Sequence, residues 1–328
     1  MRKTLIFLLA VTVLLMAVGC GKSGETLDKI TLNEVTHSVF YAPQYAAIYL
    51  GYFEENGIEV ELVNGGGADK SMTALISGDA DFALMGPEAA IYVQDGEFDD
   101  APKIIAQLTQ TDGSFLVGRE DVEDFSWSDL AGADLIGGRK GGMPLMTLEH
   151  VLRQNGLEPG KDINVITNIQ FDLMGGAFAA GEGDYVTLFE PTASEFELAG
   201  KGYVLTSVGE GTEPVSYTCY MTRQSLIEED PDLVQRFVDA IARAQKWVAE
   251  TDALEVAQVI SPAFPDTDVD VLASSIERYR AIDAWLTVPT LNEPSVEHMM
   301  EILIEAGELE TPVEISTIYD PTFAQNAD

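Results

Sequence analysis

Along most of this chain, segments suited to strands take turns with segments suited to helices, and part of that alternation is written twice. Residues 30–39 alternate in polarity and carry β-branched side chains, as a strand does. Residues 45–55 read as a helix closed by the helix-stopping pair Asn56-Gly57. Ile58-Glu59-Val60-Glu61-Leu62-Val63 then alternates as a half-buried strand. The turn Gly65-Gly66-Gly67-Ala68-Asp69 leads into a helix over 70–77 that stops at Gly78. Phe82-Ala83-Leu84-Met85 is an apolar strand that delivers Gly86-Pro87-Glu88 at its C-terminal end. Strands that alternate with helices imply parallel βαβ units and an α/β fold.

The repetition narrows this further. Asn56-Gly57-Ile58-Glu59 recurs as Asn155-Gly156-Leu157-Glu158, and Gly78-Asp79-Ala80-Asp81-Phe82 recurs as Gly181-Glu182-Gly183-Asp184-Tyr185. Each second motif leads into a strand and then a proline, Pro87 or Pro191. Short Gly-Asp helix stops can match by chance, but shared order, spacing and strand context favour two similar cores. One lies before about residue 116 and one after. Beyond Pro214 the texture becomes helical. Asp230-Pro231 combines an N-cap with a proline in the first turn, and Leu233, Phe237, Ile241, Ala244 and Val248 mark one face of a long helix. Further helices are expected over 253–260, 269–285 and 295–306. With Ser295 as N-cap, His298 stands where a capping box places Glu or Gln. This tail has no repeat partner and is expected to pack on one lobe and complete it.

Met1-Arg2-Lys3, an apolar run over 5–18 and Gly19-Cys20 read as a signal peptide (1–19). The run falls short of the ~20 apolar residues a bilayer crossing needs. Ala17-Val18-Gly19-Cys20 resembles a bacterial lipobox, although Leu is more usual where Ala17 stands; the alternative is an ordinary cleaved signal with an incidental cysteine. On the lipobox reading Cys20 carries lipid, residues 20–29 form a tether, and the protein sits extracytoplasmically on the outer face of the bacterial cell membrane. Cys219 is the one other cysteine, so a lipidated chain has no intramolecular disulfide, and its apolar surroundings suggest a buried, inert thiol. A chain with 46% hydrophobic residues is ample for two packed lobes. With 18 basic against 55 acidic residues the formal charge is −37, a field that repels phosphate backbones, so nucleic acid is not an expected partner.

Enzyme signatures are absent. His37, His150 and His298 have no His or Cys at metal-ligand spacing, and neither a Gly-x-Ser-x-Gly elbow nor a phosphate loop occurs. No catalytic residue, metal site or cofactor is expected. What stands out is a set of glycine-rich and aromatic segments at strand ends, where open α/β sheets bind ligands. Phe40-Tyr41-Ala42-Pro43-Gln44 follows the first strand, and its rings either stack on a planar solute or roof the lobe. The glycines at 65–67 open a helix whose free N–H groups suit a ligand oxygen, with Asp69 a candidate cap. Thr109-Gln110-Thr111-Asp112-Gly113 precedes the expected crossover. Gly137-Gly138-Arg139-Lys140-Gly141-Gly142-Met143-Pro144 sets two cations among glycines just before a helix in an otherwise anionic chain. Arg139 either holds a polar or anionic group or simply pairs with a neighbouring carboxylate. Phe171, Phe189-Glu190-Pro191 and Tyr217 complete a possible ring, with Glu190 placed to accept from an amine or ring nitrogen.

Several stretches resemble the ABC-importer solute-binding proteins, in the branch with receptors for thiamine pyrimidine precursors, riboflavin, alkanesulfonates, taurine and nitrate. They are Phe40-Tyr41-Ala42-Pro43-Gln44-Tyr45-Ala46-Ala47, Leu50-Gly51-Tyr52-Phe53-Glu54-Glu55-Asn56-Gly57-Ile58, Ser77-Gly78-Asp79-Ala80-Asp81-Phe82 and Gly86-Pro87-Glu88. Leu130-Ala131-Gly132-Ala133-Asp134-Leu135-Ile136-Gly137-Gly138-Arg139 is similar to the family's entry into its second lobe, departing from the usual Leu-x-Gly-Lys turn at Ala133 and Asp134. The resemblance implies a periplasmic-binding-protein-like (type II) α/β fold: two lobes, a two-stranded hinge and a helical C-terminal part. Lobe 1 would be discontinuous (30–116 and 217–328), lobe 2 would span 117–216, and the crossovers would lie near 114–119 and 217–221. Carried over by position, the pocket would draw on Tyr41, Gln44, Gly67, Gly86, Glu88, Gln110, Arg139, Gly142, Met143, Glu190 and Tyr217. The implied partners are a small solute, an ABC permease and, through it, a cytoplasmic ATPase, with the receptor acting as a monomer.

Three functional readings follow. The first is a receptor for a small aromatic or heteroaromatic nutrient, such as a pyrimidine thiamine precursor. The second is a receptor for a sulfonate or other small oxyanion, motivated by Arg139 and the glycine loops. The third, of another class, is an exported enzyme or sensor adaptor on the same fold. A related pyrimidine synthase carries a cysteine-rich motif that this chain lacks.

Overall fold

The structure, a computed structural model, describes residues 26–95, 98 and 100–327. The expected signal peptide, Cys20 and the first tether residues lie outside the described residues. The last tether residues are already structured, because Asp28 and Lys29 pair in the first strand.

Among the described residues ten strands form two sheets. They are β1 (Asp28–Glu34), β2 (Ile58–Asn64), β3 (Phe82–Met85), β4 (Pro102–Thr109), β5 (Phe115–Gly118), β6 (Asp134–Ile136), β7 (Asn164–Ile166), β8 (Tyr185–Leu188), β9 (Tyr203–Ser207) and β10 (Thr218–Arg223). The first sheet has the order β2-β1-β3-β10-β4 and the second β7-β6-β8-β5-β9. In each, four strands run in one direction and one lies antiparallel between the third and the last. That strand is β10 in the first sheet and β5 in the second. The two sheets therefore share one topology and exchange a strand. The repeated motifs fall at equivalent places: the Asn-Gly pairs precede β2 and β7, and the Gly-Asp turns precede β3 and β8. This is the mixed α/β, periplasmic-binding-protein-like architecture that the sequence implied.

The chain crosses between sheets over 110–114 and 208–217. These segments run side by side in irregular backbone, joined where Val215 N–H donates to the Gln110 carbonyl (3.0 Å) and Val208 N–H to that of Ser114 (3.0 Å). The expected crossovers were a few residues late, since Phe115 and Leu116 already pair with Leu188 and Thr187 in the second sheet.

Local departures from the sequence reading have local causes. The first strand stops at Glu34, short of residue 39, because the Ser38 hydroxyl accepts from Phe40 N–H and starts a short 3-10 turn. The helix expected over 45–55 is two helices, Ala42–Tyr49 and Tyr52–Glu55, parted at Gly51, whose φ of 76° no helix accommodates. The helix from 269 ends at Ala281, not residue 285, because Asp283 adopts φ 49°, a conformation Asp tolerates better than most side chains. The last long helix begins at Glu293, with Pro294 in its first turn.

The Pro231–Glu250 helix starts as expected, with the Asp230 carboxylate accepting from Leu233 N–H, and buries Phe237, Ile241, Ala244 and Val248 in the core, packed chiefly on the Ala42–Tyr49 helix. The Phe237 ring stacks on Phe82, centroids 4.0 Å apart. Each large side chain so buried contributes roughly 1.5–3 kcal/mol. The helical tail does not pack on one sheet alone. The Glu293–Glu305 helix also docks on the Met143–Gln154 helix beside the second sheet, through His150–Glu305 (2.6 Å) and Arg153–Glu305 (3.4 Å). Among the described residues no helix is long and apolar enough to cross a membrane.

Candidate functional site

A cavity of about 290 Å³ lies between the two sheets. Its walls come from the C-terminal ends of the central strands. Val35 and Thr36 follow β1, Asn64 ends β2, Gly86 follows β3 and Phe189 follows β8. This is where an open parallel sheet presents its ligands, because each chain turn there exposes backbone donors and leaves a crevice between diverging connections.

Of the residues singled out from the sequence, Tyr41, Gly67, Gly86, Glu88, Arg139, Gly142, Met143 and Tyr217 all line this cavity. Phe171 and Phe189 join them, their rings 5.3 Å apart. Phe40 stands behind the wall, fully buried, and holds Phe189 (5.4 Å) and Tyr217 (5.7 Å) edge-on. Gly113 allows that packing, since a Cβ there would lie 2.5 Å from the Phe40 ring. Both aromatic walls are thus fixed before any ligand arrives. Tyr41 and Tyr217 are fully desolvated, which drives their hydroxyl pKa values well above the usual range and keeps them neutral donors.

Gln44, Gln110 and Glu190 do not line the cavity. The buried Gln44 amide donates to Glu34 Oε2 (2.7 Å), in a cluster where Tyr45 and His37 also reach the Glu34 carboxylate. That contact with Glu34 is the main reason the His37 pKa is raised. The Gln110 amide donates to the Asp283 carbonyl (3.1 Å). Glu190 accepts from Ser194 and pairs with Arg278 at 2.6 Å, so its carboxylate is saturated by protein donors. Sequence reasoning also passed over Thr36, Asn64 and Asp172, which do line the cavity. The strand-end rule could have found Asn64, the last residue of β2.

The cavity is electrostatically two-sided. Two helices point uncapped N-termini at it: Ala68–Ser77, opened by Gly67, and Met143–Gln154, opened by Gly142. Gly67 needs its freedom, with φ 148° and the Asp69 carboxylate 2.6 Å from any Cβ. Arg139 stands at the mouth, bonded to Gln170 (3.3 Å) and 3.9 Å from Asp69 on the opposite side. That exposed pair spans the gap and is worth at most about 1 kcal/mol. Opposing this positive character is Glu88. Its side chain is buried, lies near enough to its own backbone N–H and that of Met143 for both to favour the ionised form, and leaves Oε2 without a protein partner. Burial pushes its pKa up to about 7. Gly86 permits this placement, because a Cβ would fall 1.9 Å from Glu88 Oε2. Asp112 lies behind Tyr217, and burial raises it to about 6 against the hydrogen bonds from Ser114.

Among the described residues no cluster of His, Cys, Asp and Glu could hold a metal ion. Cys219 is buried and its thiol pKa is pushed to about 12, which leaves it unreactive.

Comparison with known proteins agrees with this geometry. The profile of the family described as NMT1/THI5 like matches residues 39–253. A provisionally named binding protein of Bacillus subtilis, YtlA, is 43% identical over 312 residues, covering 95% of this chain and 93% of the relative. A second Bacillus subtilis protein, provisionally named as an aliphatic sulfonates-binding protein, is 25% identical and covers 100% of this chain and 97% of the relative. Among solved structures, the ligand-binding component of an ABC-type import system from Staphylococcus aureus superposes with TM-score 0.75 at 17% identity, covering 92% of this chain and 99% of that one.

Proposed function

The chain belongs to the NMT1/THI5-like family as a solute-binding protein of the ABC-import type, and we propose that its solute is a small aromatic or heteroaromatic nutrient such as a pyrimidine thiamine precursor. The observation that carries this reading is the unpartnered, buried Glu88 Oε2 in a cavity walled by Tyr41, Tyr217 and Phe189. A planar ring can lie against the aromatic walls while its amino or ring N–H donates to Glu88, replacing a missing hydrogen bond whose absence costs about 1–3 kcal/mol. The protein makes and breaks no bond in this reading. Two lobes, turning about 110–114 and 208–217, close on the solute and present it to a membrane permease coupled to a cytoplasmic ATPase. A lipid on Cys20 would hold the receptor at the outer face of the membrane.

A second reading, a receptor for a sulfonate or other small oxyanion, is favoured by the two uncapped helix N-termini, by Arg139 and by the name of the 25% identical relative. Thermal-shift titration separates the two. A pyrimidine at 100 times its Kd should stabilise the protein by about 2.7 kcal/mol, and stabilisation by sulfonates alone would overturn the first reading. Mass spectrometry of the solute that co-purifies with the native protein identifies it directly.

A further inference from the structure

We propose that Glu88 is the residue that sets the charge selectivity of the cleft, by setting a buried carboxylate of the protein beside the anion-binding N-terminus of the Met143–Gln154 helix. This inference rests on the receptor reading above and deepens it. A helix of this length with no side-chain cap at Gly142 offers free N–H groups and the positive end of its dipole. In an empty cleft those groups would attract a sulfonate, sulfate or carboxylate from solution. Here the Glu88 carboxylate, which arrives from the opposite sheet at the start of the Glu88–Asp95 helix, lines the same cavity as Gly142 and Met143 and lies near enough to the Met143 N–H to be influenced by it.

The placement is built rather than incidental. Glu88 is 3% exposed, Gly86 leaves room where any side chain would collide with the carboxylate, and Oε2 has no partner in the protein. The carboxylate therefore stands in the cavity wall beside the anion position, with Oε2 an acceptor that no protein donor satisfies. At pH 8, above the Glu88 pKa of about 7, an anion approaching this helix meets a negative charge beside the N–H groups. An amine, an amidine-like edge or a ring N–H meets an acceptor with nothing to displace. The Met143 side of the cleft thereby favours a neutral or cationic solute with a donor, although the Ala68–Ser77 N-terminus stays open. Arg139 and Lys140 sit at the mouth, where water screens them, and do not reverse that preference.

The test uses sodium ethanesulfonate as the anion probe and isothermal titration at pH 8 of the mature protein, with Glu88→Gln as the decisive variant. Glu88→Met, also uncharged and of similar length, serves if Glu88→Gln folds poorly, and Glu61→Gln, on the exposed face of β2, controls for net charge. Both Glu88 variants are expected to bind ethanesulfonate at least tenfold more tightly than the wild type and Glu61→Gln. Equal affinity in all four proteins, tighter binding by the wild type, or no binding by the variants overturns the proposal. A failure of the heteroaromatic reading shows instead in the mass of the co-purifying solute, whatever the titrations give.

Discussion

Replacing Glu88 with Gln should stabilise the empty protein, and the gain should depend on pH in a way fixed by burial. A carboxyl whose pKa rises from its ordinary 4.5 to about 7 on folding binds its proton more tightly in the native state. Below pH 4.5 it is protonated in folded and unfolded chains alike and has no net effect. Between 4.5 and 7 the unfolded chain ionises first, so native stability falls as the pH climbs, and above 7 the penalty is constant. At 1.36 kcal/mol per pH unit, the full penalty is about 3 kcal/mol. Glutamine is never ionised and escapes it. Thermal melts of wild type and Glu88→Gln, run in parallel from pH 4.5 to 8.5, should diverge up to pH 7 and stay apart thereafter. A gap of about 3 kcal/mol corresponds to several degrees in Tm. Asp112, raised to about 6, titrates in both proteins and cancels in the difference. Tyr41 and Tyr217 titrate far above the range, and Cys219 near 12. A gap that is constant from pH 4.5 to 8.5, or that narrows as pH rises, would refute the reasoning.

Arg278→Met should cost about 2–3 kcal/mol in urea denaturation, somewhat less than for a fully buried pair because Arg278 is partly exposed, by leaving the Glu190 carboxylate buried without its cation. Adding Glu190→Gln should recover most of that loss. Gly86→Ala should reduce solute affinity at least about tenfold in calorimetry, near 1.4 kcal/mol, because its Cβ must drive Glu88 from its place. Cys219 should resist thiol reagents at pH 8 in the native protein and react fully once unfolded, read by mass spectrometry of the labelled peptide.

Much of the fold could be read in advance because it is written in local chemistry. Asn56-Gly57 and Asn155-Gly156 end helices and precede β2 and β7, and Gly78 caps its helix with φ 82°. The exchange of β5 and β10 between sheets was less legible. Phe115–Gly118 is a short apolar run buried throughout, and such a run names neither its direction nor its neighbours. The same limit governed the site. Strand ends and glycine loops pointed to Tyr41, Gly67, Gly86 and Met143, since their position follows from the element they terminate. Glu190 occupies an equivalent strand end, yet its carboxylate is taken by Arg278, 88 residues away. Nothing in the sequence around Glu190 announces that partner. Glu88 carries the reverse lesson, because its chemistry comes from burial in the cavity wall that it shares with Met143 and from an oxygen without a protein partner.

Small-angle scattering on the stripped receptor, before and after return of its co-purifying solute, tests hinged capture most directly. The account predicts a smaller radius of gyration with solute bound, and recovery of the solute unchanged in mass. An identical scattering profile in both states, or a solute returned chemically altered, would contradict it.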